Sequence, residues 1–344
     1  MIADPLPVGK LDRTMLSDLL AKYSRPDKRL LVGPKVGEDA AVLGPSPGCE
    51  VIATDPITFA SDRIGWYVVH INANDIAVMG GRPRYLLLTL LLPQGRTSAA
   101  DVEGIFAAVA DACRELDITL AGGHTEITYG LERTIAVGQM IGEVGRDRIV
   151  TSSGARPGDT ILLTKGIAIE GTAIIAREKR EELIDSRGEG VVESAASLLD
   201  TPGISVVREA LIACDTALPS AMHDPTEGGL ATGLLELATA SEVGLAIDEE
   251  AIPVLPECRA VCETFDLNPL GLIASGALLV TAAPEKANAI ASAFDREGIV
   301  YARIGTIEER GHGLTISSAD STRPLDRFDV DEVARLFARG SGPQ

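Results

Sequence analysis

Hydrophobic positions along the chain follow two periods, one typical of strands and one typical of helices. Short apolar runs predict strands over 40–43, 51–54, 85–92, 118–121 and 134–142, and later over 160–164, 244–248, 277–281 and 301–307. Apolar residues spaced by three and four predict helices over 64–79 and 99–116, and later over 172–183, 191–199, 205–213, 229–240, 256–265 and 284–297. Because strands and helices are interleaved throughout, the pattern predicts an α/β (α+β) fold with mixed sheets.

A stretch rich in Ser, Gly and Pro, VTSSGARPGDT, interrupts the pattern at residues 150–160. A chain of 344 residues is also too long for one ordinary core. We therefore predict two domains, 1–152 and 153–330, followed by a C-terminal helix end and loose tail over 331–344. The longest apolar run, YLLLTLLLP, is too short to span a bilayer and predicts a buried strand.

The helix predicted over 64–79 contains VVHINANDIAVMGG, in which four polar side chains interrupt an apolar background. His70 and Asn74 lie one turn apart, while Asn72 and Asp75 lie three residues apart on a neighbouring stripe. Apolar residues in nearly every direction predict a buried helix. An unpaired buried carboxylate is costly, so Asp75 needs either an internal partner or a ligand.

Other acidic residues stand where predicted strands and helices meet loops. They are Glu38 and Asp39 before one strand, Asp55 at the end of the next, and Asp224 before a helix. Each alone fits ordinary turn chemistry. Together with Asp75 they favour a set of oxygen ligands for Mg²⁺, which prefers carboxylates, phosphate oxygens and water.

The segment LAGGHTEIT predicts a glycine turn after a strand. Gly122 and Gly123 would let the backbone approach a ligand closely, and Thr125 offers a hydroxyl. His124 is a candidate proton carrier or phosphate donor, and a solvent-facing histidine on an ordinary turn is the alternative. The chain contains neither the Walker motif GxxxxGK[ST] nor a GxGxxG after a strand.

Composition narrows the class of protein. The net charge of −19 argues against nucleic acid and against a membrane surface as partners, because both need clustered Lys and Arg. Five cysteines without a CxxC pair, and no signal peptide at the N-terminus, predict a reduced cytoplasmic protein. Cys258 and Cys262 predict two half-buried thiols on one helix face, and a metal pair is the alternative.

Six segments together resemble the aminoimidazole ribonucleotide (AIR) synthase-related, or PurM-like, superfamily, and within it the HypE family of hydrogenase-maturation proteins. They are GEDAAVL, TDPIT, NANDIAVMGGRPR, GGHTEIT, RPGDTILLTKGIAIEGTAIIA and HDPTEGGLATGLLELA. The resemblance runs from about Val8 to Ile307. It implies a two-domain architecture in which the N-terminal domain binds ATP and forms a homodimer through its sheet.

The resemblance also implies roles for the polar residues named above and adds Lys10, which matches the family's lysine near the phosphates. The implied metal ligands, for Mg²⁺, are Asp39, Asp55 and Asp75. The implied catalytic residues are Asp75, His124 and Lys10. The implied nucleotide-binding residues are Lys10, Asp39, Asp55, Asn74, Asp75, Gly122, Gly123, Thr125 and Asp224.

The activity that the resemblance implies is ATP-dependent phosphorylation of an oxygen, usually of an amide-like group, on a small-molecule or protein acceptor. The sequence departs from the HypE pattern in its tail, because no cysteine follows Cys262. It also lacks the glycine-serine loop near the N-terminus, and it has His124 and Glu227 where HypE has aspartate and arginine. The alternatives are a small-molecule kinase resembling thiamine-monophosphate kinase and a nucleotide-binding accessory protein without catalysis.

Overall fold

The computed structural model describes Thr14 and the ranges 30–32, 36–38, 40–44, 48–58 and 63–339. Six strands form a first sheet in the order β1-β2-β3-β6-β4-β5. They are β1 (Leu30–Val32), β2 (Ala41–Leu43), β3 (Cys49–Ile57), β4 (Arg82–Pro93), β5 (Thr119–Thr128) and β6 (Ile135–Val144). The pair β4 and β5 is parallel and the other pairs are antiparallel. Helix α1 (Ile64–Val78) packs on one face of this sheet, and α2 (Ala99–Glu115) packs against α1.

Seven strands form a second sheet in the order β13-β12-β9-β11-β7-β10-β8. They are β7 (Thr160–Thr164), β8 (Ala221–His223), β9 (Gly244–Asp248), β10 (Leu279–Ala282), β11 (Tyr301–Glu308), β12 (Leu314–Ser317) and β13 (Thr322–Pro324). Its helices are α3 (Ile169–Glu178), α4 (Arg180–Arg187), α5 (Glu189–Ser197), α6 (Val207–Thr216), α7 (Gly229–Ser241), α8 (Pro256–Phe265), α9 (Pro284–Glu297) and α10 (Glu332–Arg339). In the described part of the chain, no helix is long and apolar enough to cross a bilayer.

The predicted mixed α/β fold is confirmed, and several elements begin and end where the pattern places them. The strands 160–164 and 244–248 and the helices 256–265 and 284–297 match residue for residue. One long helix, predicted over 172–183, is wrong. It is two helices, because Lys179 between α3 and α4 leaves the helical conformation at φ −112° and ψ 30°. No glycine or proline marks this break.

Strand β3 is longer than predicted and continues through Asp55 and Pro56 instead of ending there. A proline inside a sheet is tolerated where one edge of its strand has no ladder to complete. That condition holds here, because β2 pairs only with the first part of β3, from Glu50 to Ile52. Asp55 therefore lies on a strand rather than in a turn.

The predicted glycine turn is also wrong, since Gly122 and Gly123 lie inside β5. The register between β4 and β5 shifts after Leu86, which marks a β-bulge at the two glycines. Gly123 has φ +144°, and a Cβ there would collide with the carbonyl oxygen of Leu88. The pair therefore permits a close approach of two strands rather than a turn.

Strand β4 is apolar on both faces, but only one face is covered. The face toward the helices carries four buried leucines, which are Leu86, Leu88, Leu90 and Leu92. On the opposite face, which we call the outer face of the first sheet, Tyr85 is 46% exposed. At the sheet edge, Leu120 and Ile127 of β5 are exposed as well. The predicted buried strand is confirmed on the face toward the helices, whereas on its outer face Tyr85 is exposed and the other residues are half-buried in the single chain.

Gly138 on β6 provides a test of how α1 packs on the sheet. A Cβ at this position would collide with the side-chain amide of Asn72 on α1. We expect Gly138→Ala to lower the free energy of unfolding by about 1–3 kcal/mol, the usual cost of overpacking. Urea unfolding followed by circular dichroism measures it. Gly190→Ala on α5 is the control, because nothing lies within 4 Å of a Cβ there. Equal midpoints for the two variants would contradict this packing.

Candidate functional site

The four polar side chains of α1 are buried, as the sequence predicts. All but Trp66 of the helix's 15 residues are buried. Asn72 and Asn74 are fully buried, and His70 and Asp75 are 1% and 8% exposed. Buried polar groups are stable only with partners, so their contacts define the site.

Asn72 holds the end of β3 against α1. Its Oδ1 accepts a hydrogen bond from the backbone N–H of Asp55 at 2.8 Å, and its Nδ2 donates to the Asp55 carbonyl at 3.2 Å and to Val68 at 2.9 Å. Asp55 lies on the same face of β3 as the buried Val51, which is the face toward the helix. Asp75 is one helical turn from Asn72, where Cβ atoms are roughly 5–6 Å apart. Asn72 therefore lies next to both residues, because it bonds the backbone of Asp55 and shares a helix face with Asp75.

Asn74 links α1 to the C-terminal domain. Its Nδ2 donates to the carbonyl of Ile204 at 2.9 Å, and its Oδ1 accepts from the N–H of Val206 at 2.9 Å. Because the side chain is fully buried, it has no exposed atom to offer a nucleotide. In the single chain Asn74 thus holds the two domains together, and its role as a nucleotide-binding residue stays a prediction.

Lys165, which the sequence analysis missed, holds the same segment from within the C-terminal domain. Its Nζ donates to the carbonyls of Gly203 at 3.1 Å and Ser205 at 2.6 Å, and it pairs with Glu209 at 3.1 Å. Burial lowers the pKa of Lys165, and Glu209 opposes that shift. The carbonyls of residues 203–205 thus alternate between Lys165 and Asn74 as hydrogen-bond donors. The only signal in the sequence is a single lysine inside the apolar run TILLTKGIAI.

Two residues of the predicted metal and phosphate site, Lys10 and Asp39, lie outside the described residues. Across the part of the chain that the structure describes, no three His, Cys, Asp or Glu side chains form a group that could hold a metal ion. The two carboxylates beside Asn72 nevertheless fit Mg²⁺, because this ion takes one or two protein carboxylates and completes its shell with phosphate oxygens and water. Asp224, directly after β8, is buried at 3% exposure.

The residues of β5 lie apart from this group. Within the register, His124 pairs with Thr89 on the outer face, whereas Gly123 pairs with the buried Leu88. The His124 side chain is 67% exposed, and its Nε2 is 3.4 Å from Glu126. Two strands separate β5 from β3, a distance of about 14 Å. Within one chain, His124 and Asp75 are therefore on opposite faces of the sheet, and Gly122, Gly123 and Thr125 share the strand of His124.

A second acidic group, which the sequence analysis also missed, lies in the C-terminal domain. Burial raises the pKa of Glu170 to about 7, a shift that Ser275 opposes and that the nearby Asp331 and Glu227 reinforce. Burial likewise raises the pKa of Asp331 to about 6, although the N–H of Gly228 donates to its carboxylate at 2.7 Å. These carboxyl groups therefore titrate near neutral pH. They lie where the start of α3, the start of α7 and the segment before α10 meet.

His70 has no hydrogen-bond partner for either ring nitrogen among the described residues. Burial lowers the pKa of His70 to about 4, so the ring is neutral at physiological pH. It packs against Trp66 with 4.4 Å between ring centroids. His70 is therefore a packing residue of the α1 core.

Comparison with known proteins places this architecture in a family. The model of the AIR synthase related protein, N-terminal domain, matches residues 37–144, and that of the C-terminal domain matches residues 156–316. The chain is 33% identical over 290 residues to carbamoyl dehydratase HypE of Cupriavidus necator, covering 80% of this chain and 77% of the relative. The chain belongs to the AIR synthase-related family, close to HypE.

Solved structures share the fold. The crystal structure of hydrogenase maturation protein HypE in complex with ATP has a TM-score of 0.67 at 23% identity and covers 94% of each chain. AaThiL complexed with AMPPCP and TMP has a TM-score of 0.68 at 22% identity, covering 84% of this chain and 91% of that one. The predicted PurM-like two-domain fold is confirmed. The domain boundary at residue 152 and the predicted site residues stay predictions.

The buried Glu170 predicts how stability depends on pH. Its pKa in the folded protein, about 7, lies above the ordinary 4.5, so the folded state binds this proton more tightly than the unfolded state. Stability is therefore lost as pH rises from 4.5 through about 7, by roughly 3 kcal/mol. We expect Glu170→Gln to exceed wild type in urea midpoint at pH 8, with the gain shrinking toward pH 5.

Glu178→Gln is the matched control, because Glu178 is exposed on the same helix. We expect its midpoint to follow that of wild type at every pH. A difference between Glu170→Gln and wild type that does not change between pH 5 and pH 8 would refute the burial of an ionisable Glu170.

Proposed function

We propose that this protein is an ATP- and Mg²⁺-dependent enzyme of the AIR synthase and HypE type that phosphorylates an oxygen of an external acceptor. The observation that carries the proposal is that Asn72 bonds the backbone of Asp55 one helical turn from the buried Asp75, at the junction of β3 and α1. The 33% identity to carbamoyl dehydratase HypE supports an ATP-using enzyme of this family. The fold shared with ATP-bound HypE is consistent with it.

The proposed roles follow from the contacts. Asp55 and Asp75 would hold Mg²⁺ and, through it, the phosphates of ATP. Outside the described residues, Asp39 would be a further metal ligand and Lys10 would contact the phosphates. Asn72 fixes the backbone of Asp55 and so the direction of its side chain. When bound, Mg²⁺–ATP supplies the phosphoryl group and neutralises its charge. The protein contributes one carboxylate on strand β3 and one on the buried helix α1, so that both are positioned before the nucleotide binds.

We further propose that the acceptor oxygen belongs to a separate molecule rather than to a group carried on a cysteine of this chain. All five cysteines are buried and free of disulfides. Cys258 and Cys262, with sulfur atoms 3.9 Å apart on α8, are more deeply buried than predicted. An amide-like group is the class of acceptor that the family resemblance favours.

We also propose a homodimer in which a second copy covers the outer face of the first sheet. That face exposes Tyr85 and carries half-buried apolar residues such as Leu87 and Val137. An open apolar sheet face on a folded chain is typical of an interface. In the dimer the partner lies against β5, so any role of His124 at the nucleotide site involves both subunits.

The proposed metal site predicts that ATP binding depends on a divalent ion. We expect isothermal titration to show tight ATP binding in Mg²⁺ and at least tenfold weaker binding in EDTA. Asp75→Asn should lose the Mg²⁺-dependent part of the ATP affinity. The variant should stay folded, because the substitution also removes charge repulsion with Asp55. Asp111→Asn, exposed on α2, is the control. Equal affinity in EDTA and in Mg²⁺ would overturn the metal assignment. A second experiment incubates the protein with ATP labelled at the γ-phosphate and a pool of metabolites. Label released as free phosphate indicates an enzyme of the AIR synthase or HypE type, and label in a stable product indicates a kinase. The absence of ADP release indicates an accessory protein.

The proposed dimer predicts a mass of 72.0 kDa by light scattering, which is twice the chain mass of 36.0 kDa. Leu87→Arg places a charge in the middle of the outer face, and we expect it to yield 36.0 kDa. Phe106→Arg is the control, because Phe106 is 38% exposed on α2 and away from that face. A wild-type monomer at micromolar concentration, or a dimer lost equally in both variants, would contradict the proposed interface.

A further inference from the structure

A cavity of about 620 Å³ opens at the end of the first sheet where β3 and β4 finish and β6 begins. Its floor includes Thr58, Pro93 and Thr134 at the strand ends, and its walls are the first turns of α1 and α2. This volume lies within the range of small-molecule sites. Its described lining residues belong to the N-terminal domain, and one of them, Arg63, also pairs with Asp200 of the C-terminal domain.

Three guanidinium groups line the cavity, from Arg63, Arg96 and Arg133. Arg63 is fixed by an ion pair of 2.8 Å with Asp200, and its guanidinium lies 4.1 Å above the ring of Trp66. Arg96 is directed by a hydrogen bond of 3.1 Å to the carbonyl of Glu132. In a chain with a net charge of −19, this concentration of arginines runs against the overall charge.

Among the described residues, three acidic side chains lie near these arginines, and two of them are engaged with other groups. Asp200 pairs with Arg63 at 2.8 Å. Asp101 accepts hydrogen bonds from the N–H and the hydroxyl of Ser98, both at 2.8 Å, in the capping box of α2. The third is Glu132, whose backbone carbonyl orients Arg96. Arg96 and Arg133 are therefore the guanidinium groups of the cavity that are not part of the ion pair with Asp200.

The first turn of α1 adds backbone donors to the arginines. Arg63 occupies the N-cap position, its side chain makes no capping hydrogen bond, and no acidic residue stands in the first turn. Ile64 and Gly65 line the cavity, and Gly65 has no side chain to cover its N–H. The first-turn N–H groups and the positive end of the helix dipole favour an anion here.

The cavity is separate from the proposed metal site. Asp75 is eleven residues after Ile64 on α1, which is about 16 Å at the helical rise, and Thr58 is three residues after Asp55, which is about 10 Å along a strand. One phosphate group cannot contact both places. Guanidinium groups bind phosphate through paired charge-assisted hydrogen bonds and need no metal ion. We propose that this cavity is a metal-independent binding site for a small molecule that carries a phosphate group.

The test uses the full chain with inorganic phosphate and pyrophosphate as probes, in EDTA and at constant ionic strength. We expect both probes to raise the melting temperature of the wild type, since a ligand of the folded state stabilises it. The double variant Arg96→Ala with Arg133→Ala should bind the probes at least tenfold more weakly by calorimetry. Arg114→Ala, exposed at the other end of α2, is the control and should respond like wild type. The double variant Arg96→Lys with Arg133→Lys keeps the charge and should give an intermediate affinity.

Two further measurements separate this site from the nucleotide site. Asp75→Asn should keep phosphate binding in EDTA even though it loses Mg²⁺-dependent ATP binding. The arginine-to-alanine variant should keep Mg²⁺–ATP binding. If this variant lost Mg²⁺–ATP binding, the arginines would be shown to hold the nucleotide, and the proposal of a separate site would fail. Absence of a phosphate response in wild type, or an equal response in the alanine and lysine variants and wild type, would overturn the proposal as well.

Discussion

The structure depends on one constraint, which is that a helix buried on nearly all sides carries amide and carboxyl side chains that must be satisfied. Asn72 meets it by bonding the peptide of Asp55, and Asn74 meets it by bonding the backbone at Ile204 and Val206. Each asparagine offers a donor and an acceptor in the geometry of a peptide group. Through them α1 joins the first sheet on one side and the C-terminal domain on the other.

The same arrangement places acidic groups in two different environments. Asp55 and Asp75 both lie next to Asn72, where we propose a divalent cation. Glu170 and Asp331, in the C-terminal domain, have their pKa values raised toward neutrality by burial. The segment 203–206 is held by Asn74 from one domain and by Lys165 from the other. Asn74 and Lys165 therefore fix one of the contacts between the domains.

Membership of the AIR synthase-related family explains the architecture of the chain, but particular residues of this chain depart from the HypE pattern. The sequence relationship to HypE is strong across most of the chain, yet the thiol that the HypE resemblance implies in the tail is absent. The sheet separates His124 from Asp75, so a single chain does not assemble all of the residues that the resemblance groups together. What covers the outer face of the first sheet therefore decides whether β5 takes part in the site.

Much of this fold could be predicted from local pattern. Helix α1 was predictable as buried because it is apolar in every direction, and strands such as 160–164 are bounded by recognisable turns. The break at Lys179 carries no glycine or proline, so nothing local marks it. The glycines of β5 were mistaken for a turn because a bulge and a turn use the same residues for different neighbours.

Some features of the candidate site could also be predicted from local pattern, whereas others could not. The sequence by itself determined that Asp75 sits on a buried helix and that acidic residues cluster at element ends, since burial and periodicity are local properties. Only the tertiary structure decided that Asn74 serves a backbone segment 130 residues away, and that Lys165 and Glu170 are buried. The physical reason is that an amide or a charge has the same local pattern whether it binds a ligand or a distant peptide group. Its partner is fixed by the packing of the two domains.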